Sequence, residues 1–307
     1  MSAKVIGPLE VRRGDRTLTA KELGGPKQRQ ILEILLLHLG TPVSKDRLVE
    51  LLWGDRPPAA ALQNLESYVS VLRRGLQPGA GRSGPLRTSN GGYVMDESAV
   101  DLDVRRFELL VDQALRCPAA GAYPLWCAAL ELASAPLLEN ELRCEWAEQQ
   151  RGLHSARVLE ARVSGAESAL RLGLHREAVL HARAALDEDQ LHERAWTVLV
   201  LGLEGAGRAV EGLQAYERCR RTLDHDLGCA PSGVLQEAYG RMLRSTATAG
   251  NELGQVLTAL LVLHGQSADP AGATVTEWVP GPRDPLARRE AATVLQSFLG
   301  RSLSMAG

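Results

Sequence analysis

The stretch LQNLESYVSVLRRGL, residues 62–76, carries amide, hydroxyl and guanidinium side chains that could bond a nucleic acid. Side-chain amides pair with adenine edges, hydroxyls bond bases or phosphates, and arginine reads guanine or anchors a phosphate. The residues concerned are Gln63, Asn64, Ser67, Ser70, Arg73 and Arg74. On an isolated helix such a set is more often an ordinary solvated surface, so the surrounding chain has to decide between the two interpretations.

A helix must position these side chains, and the apolar residues of the same stretch predict one. Leu62, Leu65, Val69, Leu72 and Leu76 recur at steps of three and four residues, which gathers them into one stripe of an α-helix. We expect that stripe to face a core. The polar side chains would then lie on the opposite face, where they could enter a major groove.

The residues before this helix predict a β-hairpin and two further helices. Residues 4–17 alternate and turn like a short hairpin. Residues 26–39, PKQRQILEILLLHL, have a helical apolar period with a proline at the first position. Ser44 is placed to cap the next helix, which the exposed loop GDRPP, residues 54–58, brings to an end.

A second hairpin is predicted after residue 76. Residues 86–88 and 93–95 flank the sequence Ser-Asn-Gly-Gly, which is a strong signal for a tight turn between two strands. Strands, three helices and a closing hairpin in this order are typical of a winged helix-turn-helix domain.

The charge distribution supports a phosphate-binding domain at the start of the chain. Residues 1–96 carry 14 Lys and Arg against 9 Asp and Glu, a net charge of +5. Residues 97–307 carry 21 against 28, a net charge of −7. A basic part joined to an acidic remainder is expected when one domain meets nucleic acid and the other meets something else.

The sequence does not indicate a catalytic or metal-binding site. None of the five cysteines is spaced as C-x-x-C, and the seven histidines show no ligand spacing. The motifs of phosphate-binding loops, serine hydrolases and zinc proteases do not occur. We therefore expect no enzyme activity, no cofactor and no metal. Scattered cysteines, without a signal peptide or a long apolar run, predict reduced thiols in a cytoplasmic protein. Binding to DNA would make it nucleoid-associated.

An ordered series of segments resembles the OmpR-type DNA-binding domain in the form found at the N-terminus of Streptomyces antibiotic regulatory proteins (SARPs). The segments are GPKQRQILEILLLH, VSKDRLVELLWGDRPP, LQNLESYVSVLRR and RTSNGGYVMD. Further along, DLDVRRFELLVDQA resembles the junction of that family, and RRTLDHDLGCAPSGVLQEAYGRML resembles the end of its bacterial transcriptional activator domain. The resemblance covers about residues 4–245.

The resemblance implies roles for single residues, because the third helix of such a domain enters the major groove. The groove-facing residues would be Gln63, Asn64, Ser67, Tyr68, Ser70, Val71, Arg73 and Arg74. The expected contacts to the DNA backbone, including the wing, are Lys27, Arg29, Lys45, Arg47, Arg87, Thr88 and Asn90. Asp55 and Arg56 lie in the loop with which the family approaches RNA polymerase. Tyr68 could instead lie partly in the core, and Arg73 and Arg74 fit guanine reading and phosphate anchoring equally well.

Residues 101–245 are nearly all helical by periodicity, and they contain an internal repeat. Gly173 aligns with Gly207 and Glu177 with Glu211, each pair 34 residues apart, which is the tetratricopeptide period. Stacked helix pairs bury a continuous core and leave a concave face for peptides, subunits or small ligands. The predicted fold class is mainly α with a small β component, in which an N-terminal winged helix-turn-helix precedes an all-α, tetratricopeptide-like repeat domain.

Three regions are expected along the chain. Residues 1–97 would form the OmpR-type winged-helix DNA-binding domain and residues 98–245 the bacterial transcriptional activator domain. Residues 246–307 would be a C-terminal helical extension, with amphipathic helices at 251–265 and 286–303.

The resemblance implies a sequence-specific transcriptional activator of a secondary-metabolite (antibiotic) biosynthetic cluster. It implies binding to direct repeats in double-stranded promoter DNA as a head-to-tail dimer, recruitment of RNA polymerase holoenzyme, and no membrane partner. Two alternatives stay open. The protein could be a repressor or a regulator gated by a ligand in the helical domain, or a tetratricopeptide-like scaffold whose N-terminal domain binds protein.

Overall fold

The computed structural model describes residues 1–80, 84–142 and 144–248. Its contacts form two compact units, Met1–Ala161 and Arg162–Gly307. The described chain is mostly helical, with its strands in the first unit, which confirms the predicted fold class. Within it, no helix is both long enough and apolar enough to cross a membrane. The regional boundaries at residues 97 and 245 stay predictions, and the two helices expected after residue 250 lie outside the described residues.

Short strands form two sheets in the first unit. In chain order they are β1 (Ser2–Lys4), β2 (Glu10–Arg13), β3 (Arg16–Thr17), β4 (Val43–Ser44), β5 (Leu86–Ser89), β6 (Gly92–Met95) and β7 (Asp101–Leu102). The first sheet has the strand order β3-β2-β1-β7, in which β1 and β7 are parallel. The second has the order β4-β6-β5. This second sheet is the predicted wing, extended by the short strand β4.

Helices supply the rest of the first unit. They are α1 (Ala20–Leu23), α2 (Pro26–Leu37), α3 (Lys45–Trp53), α4 (Ala61–Leu76), α5 (Asp103–Leu115), α6 (Ala119–Leu132) and α7 (Glu145–Arg171), which continues into the second unit. The side chain of Ser44 accepts a hydrogen bond from the Arg47 amide at 3.1 Å, which confirms Ser44 as the cap of α3.

One core fixes the helices that carry the candidate residues. Ile31 and Leu35 of α2, Leu48 of α3, and Leu65 and Leu72 of α4 are fully buried in the same cluster. Burying side chains of this size is worth about 1.5–3 kcal/mol each. The packing therefore holds α4 in a defined orientation against α2 and α3.

The wing is closed by the predicted tight turn. Asn90 and Gly91 have φ values of 47° and 75°, the left-handed conformation that a two-residue hairpin turn requires. Gly92 pairs with Ser44 of β4, and a Cβ atom on Gly92 would lie 2.0 Å from the carbonyl oxygen of Val43. Only glycine therefore allows β4 to join the wing, which attaches the wing to the start of α3.

Residues 133–142, which follow α6, run beside residues 5–7, directly after β1. The Leu138 amide donates to the Val5 carbonyl at 2.7 Å, and the Gly7 amide donates to the Pro136 carbonyl at 2.8 Å. Leu138 and the nearby Trp146 belong to the same core cluster as the buried residues of α2, α3 and α4. The first unit therefore includes α5, α6 and the start of α7 as well as the winged helix.

Asp103, the first residue of α5, attaches this helix to β1. Its buried carboxylate accepts hydrogen bonds from the amides of Val5 at 3.0 Å and Ile6 at 2.9 Å, and from its neighbour Val104 at 2.8 Å. These donors would lose their acceptor in Asp103→Ala. We expect that variant to lose about 1–3 kcal/mol of unfolding free energy in urea titrations, because buried amides would be left unpaired. Asp103→Asn keeps one acceptor oxygen and should lose less, whereas equal stability of Asp103→Ala and the parent would contradict this role.

The second unit is built from paired helices. After the end of α7 come α8 (His175–Glu188), α9 (Glu193–Gly205), α10 (Ala209–Leu227) and α11 (Gly233–Thr248). Gly173 and Gly207 have φ values of 73° and 71° in the turns before α8 and α10, so the predicted repeat is present in the backbone. Trp196 of α9 and Tyr216 of α10 are buried between the helices. Burial of large side chains between neighbouring helices is expected for a helical repeat.

Candidate nucleic-acid interface

Helix α4 buries its predicted apolar stripe, with one exception. Leu65, Val69, Leu72 and Leu76 are buried in the core cluster. Leu62 is 49% exposed, so its predicted place in the buried stripe is wrong. The buried residue in the first turn of α4 is Ala61, four residues before Leu65, so the buried face continues through Ala61 and Leu62 lies beside it.

Four polar side chains form a line along the exposed face of α4. Gln63, Ser67, Ser70 and Arg74 are all exposed and follow one another at steps of three and four residues. At a rise of 1.5 Å per residue this line is about 16 Å long. It presents an amide, two hydroxyls and a guanidinium, which are groups that bond base edges and phosphates. We call these four residues the exposed line of α4.

Three other predicted base-reading residues lie at one flank of the exposed line. Asn64, Tyr68 and Val71 are half-buried. Tyr68 packs against the core cluster, so part of its ring lies in the core, as the alternative prediction for this residue allowed. Side chains in such positions can meet a groove at its edge only.

Arg73 connects α4 to the wing. Its Nε donates to the Leu86 carbonyl at 3.1 Å and a terminal nitrogen donates to the Thr88 hydroxyl at 2.8 Å, both on β5. Its guanidinium also lies over the ring of Tyr93 on β6, 5.6 Å from the centroid. Arg73 therefore sets the distance and angle between the wing and the exposed line of α4, whereas the adjacent Arg74 points to solvent.

Lys45 makes a second connection to the same region. Its Nζ lies 2.5 Å from the Glu66 carboxylate on α4 and 6.0 Å from the centroid of the Tyr93 ring. The hydrogen bond to Glu66 raises the pKa of Lys45. Tyr93 is thus flanked by Lys45 and Arg73. The contacts of these two cations connect α3, α4 and the wing.

The remaining predicted phosphate contacts divide into two groups. In the wing, Thr88 and Asn90 are exposed, and Arg87 forms an ion pair with Asp96. Hydrogen bonds from Ser98, with a smaller contribution from Arg87, lower the pKa of the Asp96 carboxyl. The second group lies on α2 and α3. Lys27 donates to the Leu52 carbonyl at 2.5 Å, at the end of α3.

The other two members of the second group, Arg47 and Arg29, lie near acidic side chains. Arg47 pairs with Glu50 at 2.8 Å on the exposed surface of α3. Arg29 is half-buried and its charge acts on Glu33. The structure therefore brings the wing residues together with α4, whereas Lys27 and Arg29 contribute to the packing of α2.

The loop between α3 and α4 is exposed over its whole length. Residues 54–60, which include Asp55 and Arg56, are all solvent-accessible. Gly54 has a φ of 57° and ends α3, and the two prolines that follow keep the loop extended. The loop offers a stiff, polar surface beside the start of α4.

A buried polar cluster at α2 was missed by the sequence analysis. The Gln30 amide donates to the Glu141 carboxylate at 2.7 Å and contacts the Cys144 sulfur at 3.0 Å. Glu33, one turn further, is 2% exposed. Burial, with the nearby Glu141 charge, raises the pKa of Glu33 to about 8, so this carboxyl is mostly protonated at neutral pH. The sequence feature that could have predicted this cluster is the position of an acid, Glu33, inside the apolar run ILEILLL.

No group of His, Cys, Asp and Glu side chains in the described ranges is arranged to hold a metal ion. The interface consists of hydrogen-bonding groups on α4 and the wing, and its chemistry is recognition by contact.

Two protein families match the chain. The family described as "Bacterial transcriptional activator domain" matches residues 102–243. The family described as "Transcriptional regulatory protein, C terminal" matches residues 21–95, which contain α2, α3, α4 and the wing.

Individual relatives agree with these families. The regulatory protein DnrI of Streptomyces peucetius is 32% identical over 255 residues, which cover 80% of this chain and 93% of DnrI. The regulatory protein AfsR of Streptomyces coelicolor is 33% identical over 279 residues, which cover 88% of this chain and 26% of AfsR.

A solved structure has a similar fold. It is Mycobacterium tuberculosis EmbR in complex with a low affinity phosphopeptide, with a TM-score of 0.67, 25% sequence identity, and coverage of 86% of this chain and 70% of EmbR. The relatives are transcriptional regulators rather than enzymes. The two domain matches and the near full-length similarity to DnrI show that the chain belongs to the Streptomyces antibiotic regulatory protein family and is a transcriptional activator of that type.

Proposed function

We propose that this activator binds direct repeats in the promoters of a secondary-metabolite biosynthetic cluster and recruits RNA polymerase holoenzyme there. The observation that carries the proposal is the exposed line of α4, which lies beside a wing that Arg73 holds in place. A helix of this width fits the major groove of B-DNA, and the wing then meets the neighbouring backbone.

Within this proposal the exposed line reads the bases. Gln63 can pair with adenine, Ser67 and Ser70 can bond several base edges, and Arg74 can read guanine or anchor a phosphate. Asn64, Tyr68 and Val71 would contact the groove from its edge, where Val71 or the Tyr68 ring meets a thymine methyl group.

The residues predicted to contact phosphates differ in whether an acidic side chain already binds them. Arg87, Thr88 and Asn90 of the wing are exposed, which supports a role for them in contacting the DNA backbone. Lys45 and Arg47, at the start of α3, would reach a phosphate by exchanging their present acid partners for it. Phosphate contacts fix the register of the helix on the duplex without reading its sequence.

Binding as a head-to-tail dimer follows from the form of the target. Direct repeats have the same direction, so two copies of the chain on them meet through different surfaces. The exposed line of one copy contains a single cation, Arg74, so one copy has few charged contacts to the DNA. A second copy doubles the number of contacts and lengthens the sequence that is read.

The loop of residues 54–60 supplies the proposed polymerase contact, and its polar tip can be tested separately from DNA binding. We expect the double variant Asp55→Ala, Arg56→Ala to keep its footprint on the direct repeats. We also expect its transcription from that promoter with purified holoenzyme to fall about fivefold or more, because the interface residues whose truncation costs more than about 1 kcal/mol lie near the centre of an interface and include arginine.

A matched control is Asp15→Ala, Arg16→Ala, which removes the exposed acid of the β2–β3 turn and the exposed arginine that begins β3 and pairs with Glu22. This control should behave as the parent in both assays. Full transcription by the loop variant would contradict the polymerase contact, and loss of its footprint would assign the loop to DNA binding.

A further inference from the structure

A groove in the second unit lies between α8 and α10 and has a volume of about 910 Å³. Its lining includes the buried apolar side chains Leu186, Trp196, Leu199, Leu213 and Tyr239, so α9 and α11 also contribute. The indole nitrogen of Trp196 donates to the Gln190 carbonyl at 2.8 Å, which holds the ring in one orientation. An apolar lining of this size, preformed and partly enclosed, is typical of small-molecule sites.

An ion pair crosses the groove at one end. Arg183 of α8 contacts Glu211 of α10 at 3.3 Å, and Arg208 also pairs with Glu211 at 2.6 Å. Arg183 in α8 and Glu211 in α10 are among the first residues of each helix that line the groove. The pair limits the length of the groove, which favours a small molecule over an extended peptide.

The other end of the groove has more positive than negative charge. Glu217 pairs with Arg220 at 3.1 Å, so its charge is compensated. Arg218 is exposed and has no ion pair among the described residues, and Arg221 donates only to the Glu217 backbone carbonyl, at 3.3 Å. These two arginines are three residues apart on α10 and so lie on neighbouring parts of one face. At this end of the groove, the acidic residue Asp187 has no ion pair in the described structure.

We propose that this groove binds a small organic acid, with an apolar body against Trp196 and its neighbours and an anionic group held by Arg218 and Arg221. Guanidinium groups form strong, charge-assisted hydrogen bonds with carboxylates and sulfonates, and the apolar lining supplies burial for a ring or chain. The proposal goes beyond the promoter-binding function and does not depend on it.

The test uses the full-length chain and two fluorescent probes. Anilinonaphthalene sulfonate and N-phenyl-1-naphthylamine share one apolar body and differ in the sulfonate group. We expect the sulfonate probe to bind one site per chain and more tightly than the neutral probe. Arg218→Gln, Arg221→Gln should weaken the sulfonate probe about tenfold or more and leave the neutral probe unchanged, because only the anionic group meets the arginines.

Two single variants complete the test. Asp187→Asn should tighten binding of the sulfonate probe, because it removes the negative charge beside the anionic group. Arg176→Gln removes an exposed arginine of α8 outside the groove lining and should change nothing. All three altered arginines are exposed, so circular dichroism should show the parent's helix content. Equal affinity of the two probes, or equal loss in the Arg176 and Arg218/Arg221 variants, would overturn the proposal.

Discussion

Replacing Arg74 with alanine is expected to weaken binding to the promoter repeats by about 1–3 kcal/mol, about five- to 150-fold. Arg74 is exposed at the C-terminal end of the exposed line of α4, so its guanidinium is available for the DNA. If it anchors a phosphate, the slope of log affinity against log salt should also fall by about 0.9. If it reads guanine, one base pair of the repeat should lose its preference. Fluorescence anisotropy with labelled duplexes measures both quantities.

The adjacent Arg73 provides a matched comparison with the same charge and a different environment. Because Arg73 bonds Leu86 and Thr88, Arg73→Ala should increase amide hydrogen exchange in β5 and β6 as well as weaken DNA binding. Arg74→Ala should leave that exchange unchanged. The double variant should lose specific binding at about 0.15 M salt while keeping its helical content. Full affinity of Arg74→Ala would contradict the assignment of the exposed line to DNA.

The second prediction with a large effect is that Glu33 makes the stability of the first unit depend on pH. The pKa of Glu33 is about 8 in the folded chain, raised from 4.5 by burial and by Glu141. The unfolded chain therefore releases this proton at lower pH than the folded chain does. The stabilising contribution of the protonated carboxyl is complete below about pH 4.5 and is lost as pH rises to about 8. Over that range the free energy of unfolding should fall by an amount on the order of 3–5 kcal/mol.

Glu33→Gln should remove this pH dependence, because glutamine keeps the shape and stays neutral. At pH 8 the variant should be more stable than the parent, and at pH 5 the two should be close. Differential scanning calorimetry between pH 5 and pH 9 measures the difference. Glu145→Gln, at an exposed position in the first turn of α7, is the control and should follow the parent at every pH. Parallel pH profiles for Glu33→Gln and the parent would contradict a buried, protonated carboxyl at this position.

Sequence patterns predicted the elements of the interface because each depends on neighbouring residues. The period of α4, the cap at Ser44 and the Asn90-Gly91 turn are local features, and each lies where it was expected. The predicted stripe failed at Leu62 because the spacing admits either Ala61 or Leu62 in the first turn, and Ala61 is the one that is buried. The repeat of 34 residues was visible for the same local reason, since Gly173 and Gly207 both require a left-handed backbone.

Partners far apart in sequence could not be predicted in this way. Arg73 and Thr88 are 15 residues apart, and Gln30 and Glu141 are 111 residues apart. The sequence indicates that Arg73 and Arg74 carry the same charge, but only the fold shows that one supports the wing and the other faces solvent. For the same reason the contact of Lys27 with the end of α3 was not predicted, and its contact with the DNA backbone stays a prediction.

The central claim, that α4 and the wing read promoter DNA, is tested most directly by binding of the full-length chain to the promoter beside its own gene. Affinity should be measured across a salt series for the intact direct repeats and for a duplex with the repeats scrambled. We expect saturable binding that falls steeply with salt and is about 1,000-fold or more tighter for the intact repeats. Equal affinity for both duplexes at every salt concentration would contradict it.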